Sequence, residues 1–193
     1  KRQTFFSPPT FFSPPAFFSP PAFGGGCIYE HTLVYTTNGL VPAGALSLGD
    51  KLVSIRFEEL PDALNITEGI LNWRSTSLTP IELIETKLIG YKTVQYANKL
   101  ININDDKFSE EHPILIYDGN EYKFVQAFKV QEGWMILDKI GSDLSSLNWV
   151  PVTNVSVEEN GGVVYLFACD PEHIIFTQHM AVHNTKPPVP PIA

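Results

Sequence analysis

Cysteine is scarce in this chain, with only Cys27 and Cys169 among 193 residues. Two thiols are too few for a disulfide framework at this size, so a reducing, cytoplasmic setting is expected. Positive charge is also sparse: 13 Lys and Arg face 21 Asp and Glu, for a formal net charge of -8. That balance supplies no basic patch to neutralise phosphates, and nucleic acid is not an expected partner. No apolar run approaches the roughly 18 residues of a membrane-spanning helix, and no apolar signal region follows Lys1. The chain begins on Lys rather than Met, and is read as a piece of something larger.

The remaining composition, 44% hydrophobic and 18% charged, suits one domain with one sizeable core. Its two ends read differently from its middle. Residues 5–22 hold three six-residue units, Phe-Phe-Ser-Pro-Pro-Thr and then Phe-Phe-Ser-Pro-Pro-Ala twice. Paired prolines remove backbone donors and fix φ, so this flank is expected to be extended and polyproline-like. Its phenylalanines need a surface, either on a partner or on other segments of a host protein; the bland reading is a sticky linker. The period-six units also resemble segments of phage tail proteins. Gly24-Gly25-Gly26 forms a flexible joint, and a Pro-rich tail runs from Lys186 to Pro191. The division is therefore 1–26, 27–184 and 185–193.

Between those flanks the pattern is one of short strands. Thr32–Thr36 precedes an Asn38-Gly39 hairpin signal, and a small turn at 44–50 feeds an apolar strand to Ile55. Residues 56–80 read as a loop with a short helix near 62–72. Strands are expected at Ile81–Ile89, Lys92–Tyr96 and Lys99–Ile103, then at His112–Tyr117 and Glu121–Val125 around an Asp118-Gly119-Asn120 turn. Trp134–Leu137, Trp149–Val157 and Val163–Phe167 follow, and a last hairpin joins Ile174–Phe176 to His179–His183. With no long amphipathic helix, the domain is expected to be all-β.

The chemistry sits at the ends. Cys27 follows three glycines and opens a strand, turn and Leu48-Gly49-Asp50 pattern. Ser109-Glu110-Glu111-His112 lies in the middle. His173 stands eleven residues before Asn184, and His183-Asn184-Thr185 closes the domain. Taken together and in this order, these residues resemble the splicing blocks of an intein, or more broadly a Hint (hedgehog and intein) domain. Ser109 stands where the family usually has Thr in a Thr-x-x-His motif.

The resemblance implies a horseshoe of short antiparallel strands bringing the two ends side by side. It also implies excision of residues 27–184 with ligation of Gly26 to Thr185, single-turnover and without a cofactor. Cys27 would attack the Gly26 carbonyl to form a thioester, with Ser109 and His112 polarising that peptide and protonating the departing nitrogen. Thr185 would take the acyl group, and Asn184 would cyclise with help from His183 and His173. Homing-endonuclease insertions bring length and a dodecapeptide motif that this chain lacks, so the element is minimal.

Splicing members often carry Asp eighteen residues before the terminal Asn, and that position is Leu166 here. Nearby Cys169 or Asp170 is the candidate substitute, although strand parity can turn either away from the site. A Cys27–Cys169 disulfide that switches the nucleophile off is a further possibility. Cys169, His173, His179 and His183 also form a Cys-x3-His-x5-His-x3-His run, but the spacing fits no common structural zinc pattern, and no metal site is assigned. Zinc bound adventitiously by Cys27 and these histidines would inhibit. The expected partners are the chain's own flanks. Two other readings stand beside splicing: cleavage without ligation, as in bacterial intein-like and hedgehog-type members, and a non-catalytic β module displaying the Phe-Phe-Ser-Pro-Pro repeats to a partner.

Overall fold

A computed structural model describes residues 26–60 and 67–184. The Phe-Phe-Ser-Pro-Pro repeats, Gly24, Gly25, Thr185 and the Pro-rich tail lie outside the described residues.

After Cys27 the chain enters Ile28–Tyr29 (β1), then a hairpin of Leu33–Thr36 (β2) and Gly39–Pro42 (β3), then Lys51–Phe57 (β4). Thr36 pairs with Gly39, so the loop residues are Thr37 and Asn38, one position earlier than the Asn-Gly signal suggests. The helix is one short element, Thr67–Asn72 (α1); residues 61–66 of the expected span lie outside the described residues. Arg74–Ser75 (β5) precedes Pro80–Ala97 (β6), where two expected strands form one of eighteen residues.

Leu100–Ile103 (β7) and Asp106–Phe108 (β8) make a hairpin across Asn104 and Asp105, whose φ values of 46° and 73° mark a two-residue turn of the kind that matches strand twist. Pro113–Tyr117 (β9) and Tyr122–Gln126 (β10) follow. Their turn is built by Asp118, whose Oδ1 accepts from the N–H groups of Asn120 (2.9 Å) and Glu121 (3.0 Å). Met135–Lys139 (β11) pairs with Leu147–Pro151 (β12). The expected strand at 149–157 is broken, because Val152–Asn154 leave β12 and Val155–Glu158 (β13) joins the other sheet. Gly162–Asp170 (β14), Ile174–Phe176 (β15) and Ala181–His183 (β16) complete the chain.

Among the described residues all of the strand pairings are antiparallel, and they form two sheets. One runs β13-β7-β8-β1-β14-β6-β4-β2-β3, and the other β12-β11-β9-β10-β5 with β16 joined to β9 and β15 to β16. The fold is therefore all-β. Strand alternation sends Ile28, Phe108, Ile114, Ile116, Phe167 and Val182 into one large cluster shared by the two sheets. Each such side chain contributes roughly 1.5–3 kcal/mol on leaving water.

This topology positions the ends. β1 lies between β8 and β14 in the first sheet, with Ile28 opposite both Phe108 and Tyr165. β16 is held to the second sheet by Val182 opposite Ile114. Because β8 and β9 are separated only by residues 109–112, the Ser109–His112 turn stands where the two sheets meet. The segment before β15 is pinned to the first sheet as well. Thr86 Oγ1 donates to the Glu172 carbonyl (2.8 Å), Ser54 Oγ donates to the Ile174 carbonyl, and Arg56 pairs with Glu172 (2.6 Å).

Candidate active site

The Gly26–Cys27 peptide is held by the Ser109–His112 turn. Ser109 Oγ accepts from the Cys27 N–H at 2.8 Å, while the Ser109 N–H donates to the Cys27 carbonyl at 3.0 Å. The Ser109 hydroxyl also reaches that carbonyl at 3.3 Å. Ser109 thus grips the nitrogen that a cut at this peptide would release. Its donation goes to the Cys27 carbonyl.

His112 is fully buried and stacks on Phe108, with ring centroids 5.1 Å apart and planes 12° apart. Its main chain is fixed from both sides, the N–H donating to Ser109 O (3.2 Å) and the carbonyl accepting from Ala127 N–H (2.9 Å). Burial lowers its pKa to about 4, against a smaller opposing effect of the Gly26 backbone. The ring is neutral at physiological pH. That backbone lies near enough to favour the protonated ring, yet neither ring nitrogen completes a hydrogen bond of regular geometry. A buried imidazole left unpaired beside a peptide bond is an arrangement that charge developing on that bond would satisfy.

Cys27 is 2% exposed, and burial raises its thiol to about 11. It packs with Leu100, Val164 and Leu166. Leu166 therefore brings an apolar wall, not a carboxylate, to the sulfur. The polar neighbour is Gln95 on β6, whose Oε1 lies 3.8 Å from Sγ. Nothing in the sequence pointed to Gln95. It sits 68 residues away and reaches Cys27 only because β14 places Val164 opposite Gln95 on one side and Tyr29 on the other.

Asn184 is 2% exposed at the end of β16. Its N–H donates to the His173 carbonyl at 2.6 Å, and its side-chain Nδ2 donates to Cys169 Sγ at 3.6 Å. The His173 and His183 rings lie 6.1 Å apart, and His183 meets the edge of Phe124 at 5.6 Å. The hairpin of β15 and β16, with Ile174 opposite His183, brings these three residues together.

Cys169 is buried, and that burial raises its thiol to about 12 against the hydrogen bond from Asn184. Asp170 is exposed and takes no part in the cluster. Both cysteines are free thiols. They belong to different clusters, Cys27 with Val164 and Leu166, Cys169 with Tyr165 and Phe167, as alternation along β14 requires. Among the described residues, no group of three His, Cys, Asp or Glu side chains is placed to hold a metal, and no helix is long and apolar enough to cross a membrane.

Structures already solved share this arrangement of strands. A bacterial intein-like domain from Clostridium thermocellum matches with a TM-score of 0.58 and 22% identity, over 82% of this chain and 98% of its own. A DnaB intein from Synechocystis matches with a TM-score of 0.56 and 13% identity, over 83% of this chain and 99% of its own. The chain has the intein (Hint) fold. The TvoVMA intein agrees, with a TM-score of 0.55 and 14% identity over 84% of this chain and 99% of that one. No protein-family model and no curated protein matches this intein-fold chain by sequence.

Proposed function

We propose that this chain is a self-processing element that cuts the Gly26–Cys27 and Asn184–Thr185 bonds and joins Gly26 to Thr185. The observation that carries the reading is the Gly26–Cys27 peptide lying between Ser109, which holds its nitrogen, and an unpaired, buried His112. In the first step the Cys27 sulfur bonds to the Gly26 carbonyl carbon and the C–N bond breaks. The thiol loses its proton before the sulfur attacks, the Cys27 nitrogen takes one up as it leaves, and Ser109 Oγ is the group placed to deliver it.

The Thr185 hydroxyl then bonds to the same carbonyl carbon, and the C–S bond breaks with the hydroxyl proton returning to sulfur. Thr185 lies outside the described residues, so its part rests on its sequence position directly after Asn184. Next the Asn184 Nδ2 bonds to its own carbonyl carbon and expels the Thr185 nitrogen, leaving a succinimide. The contact of Nδ2 with Cys169 and the grip of the His173 carbonyl on the Asn184 N–H support this step by fixing the residue at both ends. An O-to-N shift on Thr185 restores a normal peptide bond. The element's partners are its own two flanks, and a reducing compartment would keep both thiols free for this chemistry.

Leu166 favours a second reading, cleavage without ligation, because it supplies no titratable group between the two junctions. Mass spectrometry of the expressed chain separates the outcomes. A peptide of residues 1–26 joined to 185–193, with a free domain, is expected. Separate flanks would support cleavage alone, and a chain that stays intact even with added thiol would refute both.

A further inference from the structure

Gly26 is more than the end of a flexible triplet. A Cβ built on it would lie 1.9 Å from His112 Cα, 2.4 Å from His112 N and 2.6 Å from His112 Cβ. Real Cβ atoms essentially never come within 3.0 Å of another heavy atom, and ordinary contact begins at 3.4 Å. The two nearest obstacles are main-chain atoms, so no rotamer change removes them. Nor is the wall free to move: the His112 N–H is bonded to Ser109, its carbonyl to Ala127, and its ring is stacked on Phe108. Residue 26 is itself buried.

We infer that the His112 main chain acts as a selectivity filter that accepts only glycine immediately before the nucleophile, restricting this element to hosts whose N-terminal flank ends in glycine. The inference rests on the reading of Cys27 as the group that attacks the residue 26 carbonyl. Selection of this kind differs from a side-chain pocket. It reads the absence of a side chain, and replacing the His112 side chain cannot relax it, because Cα and N remain.

A methyl group at residue 26 has to move by about 1.5 Å to reach ordinary contact with His112 Cα, carrying with it the Cα to which the carbonyl is bonded, and a misplacement of about 1 Å at a reacting centre costs on the order of 100-fold in rate. The carbonyl is the atom Cys27 must reach, so the loss falls on the first step. The far junction, held by β15 and β16, keeps its geometry.

The test is the Gly26→Ala chain beside the unaltered one. Hydroxylamine-driven scission between residues 26 and 27 should fall about 100-fold, while Asn184 cleavage changes by less than about threefold, which also certifies the fold. Scission within about threefold of the unaltered chain overturns the filter. If the unaltered chain shows no scission at all, the functional reading fails instead, and a second measurement still decides the filter. In Cys27→Ala chains, which cannot be cut at residue 26, Gly26→Ala should abolish amide-exchange protection of the residue 27 N–H held by Ser109. Undiminished protection there overturns the proposal whether or not the protein splices.

Discussion

The buried Cys27 thiol makes the pH dependence of the first cut a sharp test. Burial is the cause that lifts its pKa to about 11, and among the described residues no cation stands beside the sulfur to bring it down. At about pH 7 the thiolate fraction is on the order of 1 in 10,000, and it rises about tenfold per pH unit until the thiol titrates. His112, lowered to about 4, does not change charge anywhere in the neutral to alkaline range. Only one group therefore shapes the profile there.

The perturbation is pH, applied to an Asn184→Ala chain so that the far junction cannot contribute. Scission at Gly26–Cys27 is followed in single turnover with hydroxylamine in excess, at concentrations where doubling the nucleophile leaves the rate unchanged. Between about pH 6.5 and 8.5 the logarithm of the rate should climb with unit slope, a change of about 100-fold. A plateau beginning below about pH 8 would mean a thiol far more acidic than its surroundings allow. A bell centred near neutrality would mean that His112 titrates there. Either result would refute the reasoning that links burial to the rate.

Two further perturbations act at other places. Ser109→Ala removes the acceptor of the Cys27 N–H, leaving a desolvated donor at a cost of roughly 1–3 kcal/mol; scission at residue 26 should fall at least tenfold while Asn184 cleavage persists, as read by mass spectrometry of both junctions. Asp106 is buried against the β15–β16 turn, its Oδ2 accepting from Thr177 Oγ1 (2.6 Å) and the His179 N–H (2.9 Å), and burial raises its pKa to about 6. A carboxyl raised on folding stabilises fully below its unfolded pKa and loses that contribution as pH rises through the folded value. From this group alone, stability should fall as pH rises from about 4 through about 6, and a urea titration series should show that slope flattened in Asp106→Asn.

What could be read from the residues was what local chemistry encodes. Asp118-Gly119-Asn120 announces its own turn, because Asp118 bonds two following N–H groups and Gly119 takes a φ of 99°. The β7–β8 hairpin was passed over, although Asn104-Asp105 are residues that tolerate positive φ. The two strands expected at Ile81–Ile89 and Lys92–Tyr96 are continuous as β6, whose pairing with β14 skips from Ile89 to Thr93 across a register shift.

The contacts that shape the site were invisible for a different reason. Gln95 against Cys27, Cys169 against Asn184 and Gly26 against His112 are set by sheet register, and none follows from the identity of the residue alone. Strand parity does explain one of them after the fact. Alternation along β14 turns Leu166 toward Cys27 and Cys169 away from it, toward the terminal Asn.

That division of β14 bears on how the two cuts are kept in step. An Asp in place of Leu166 is the feature that intein resemblance leads one to want, yet this site is not built to receive it. Leu166 is 5% exposed among Cys27, Leu100 and Val164. Leu166→Asp would forfeit the burial of a large side chain and place a carboxyl in an apolar pocket, a loss of roughly 3–5 kcal/mol. A carboxylate there would also repel the thiolate and push the Cys27 thiol higher still. The variant should melt lower and cut more slowly at residue 26, not faster. Thermal melts together with hydroxylamine scission rates check this, and faster scission without loss of stability would refute it. β14 thus packs Leu166 on Cys27 and sets Cys169 against Asn184, touching both proposed junctions from one strand.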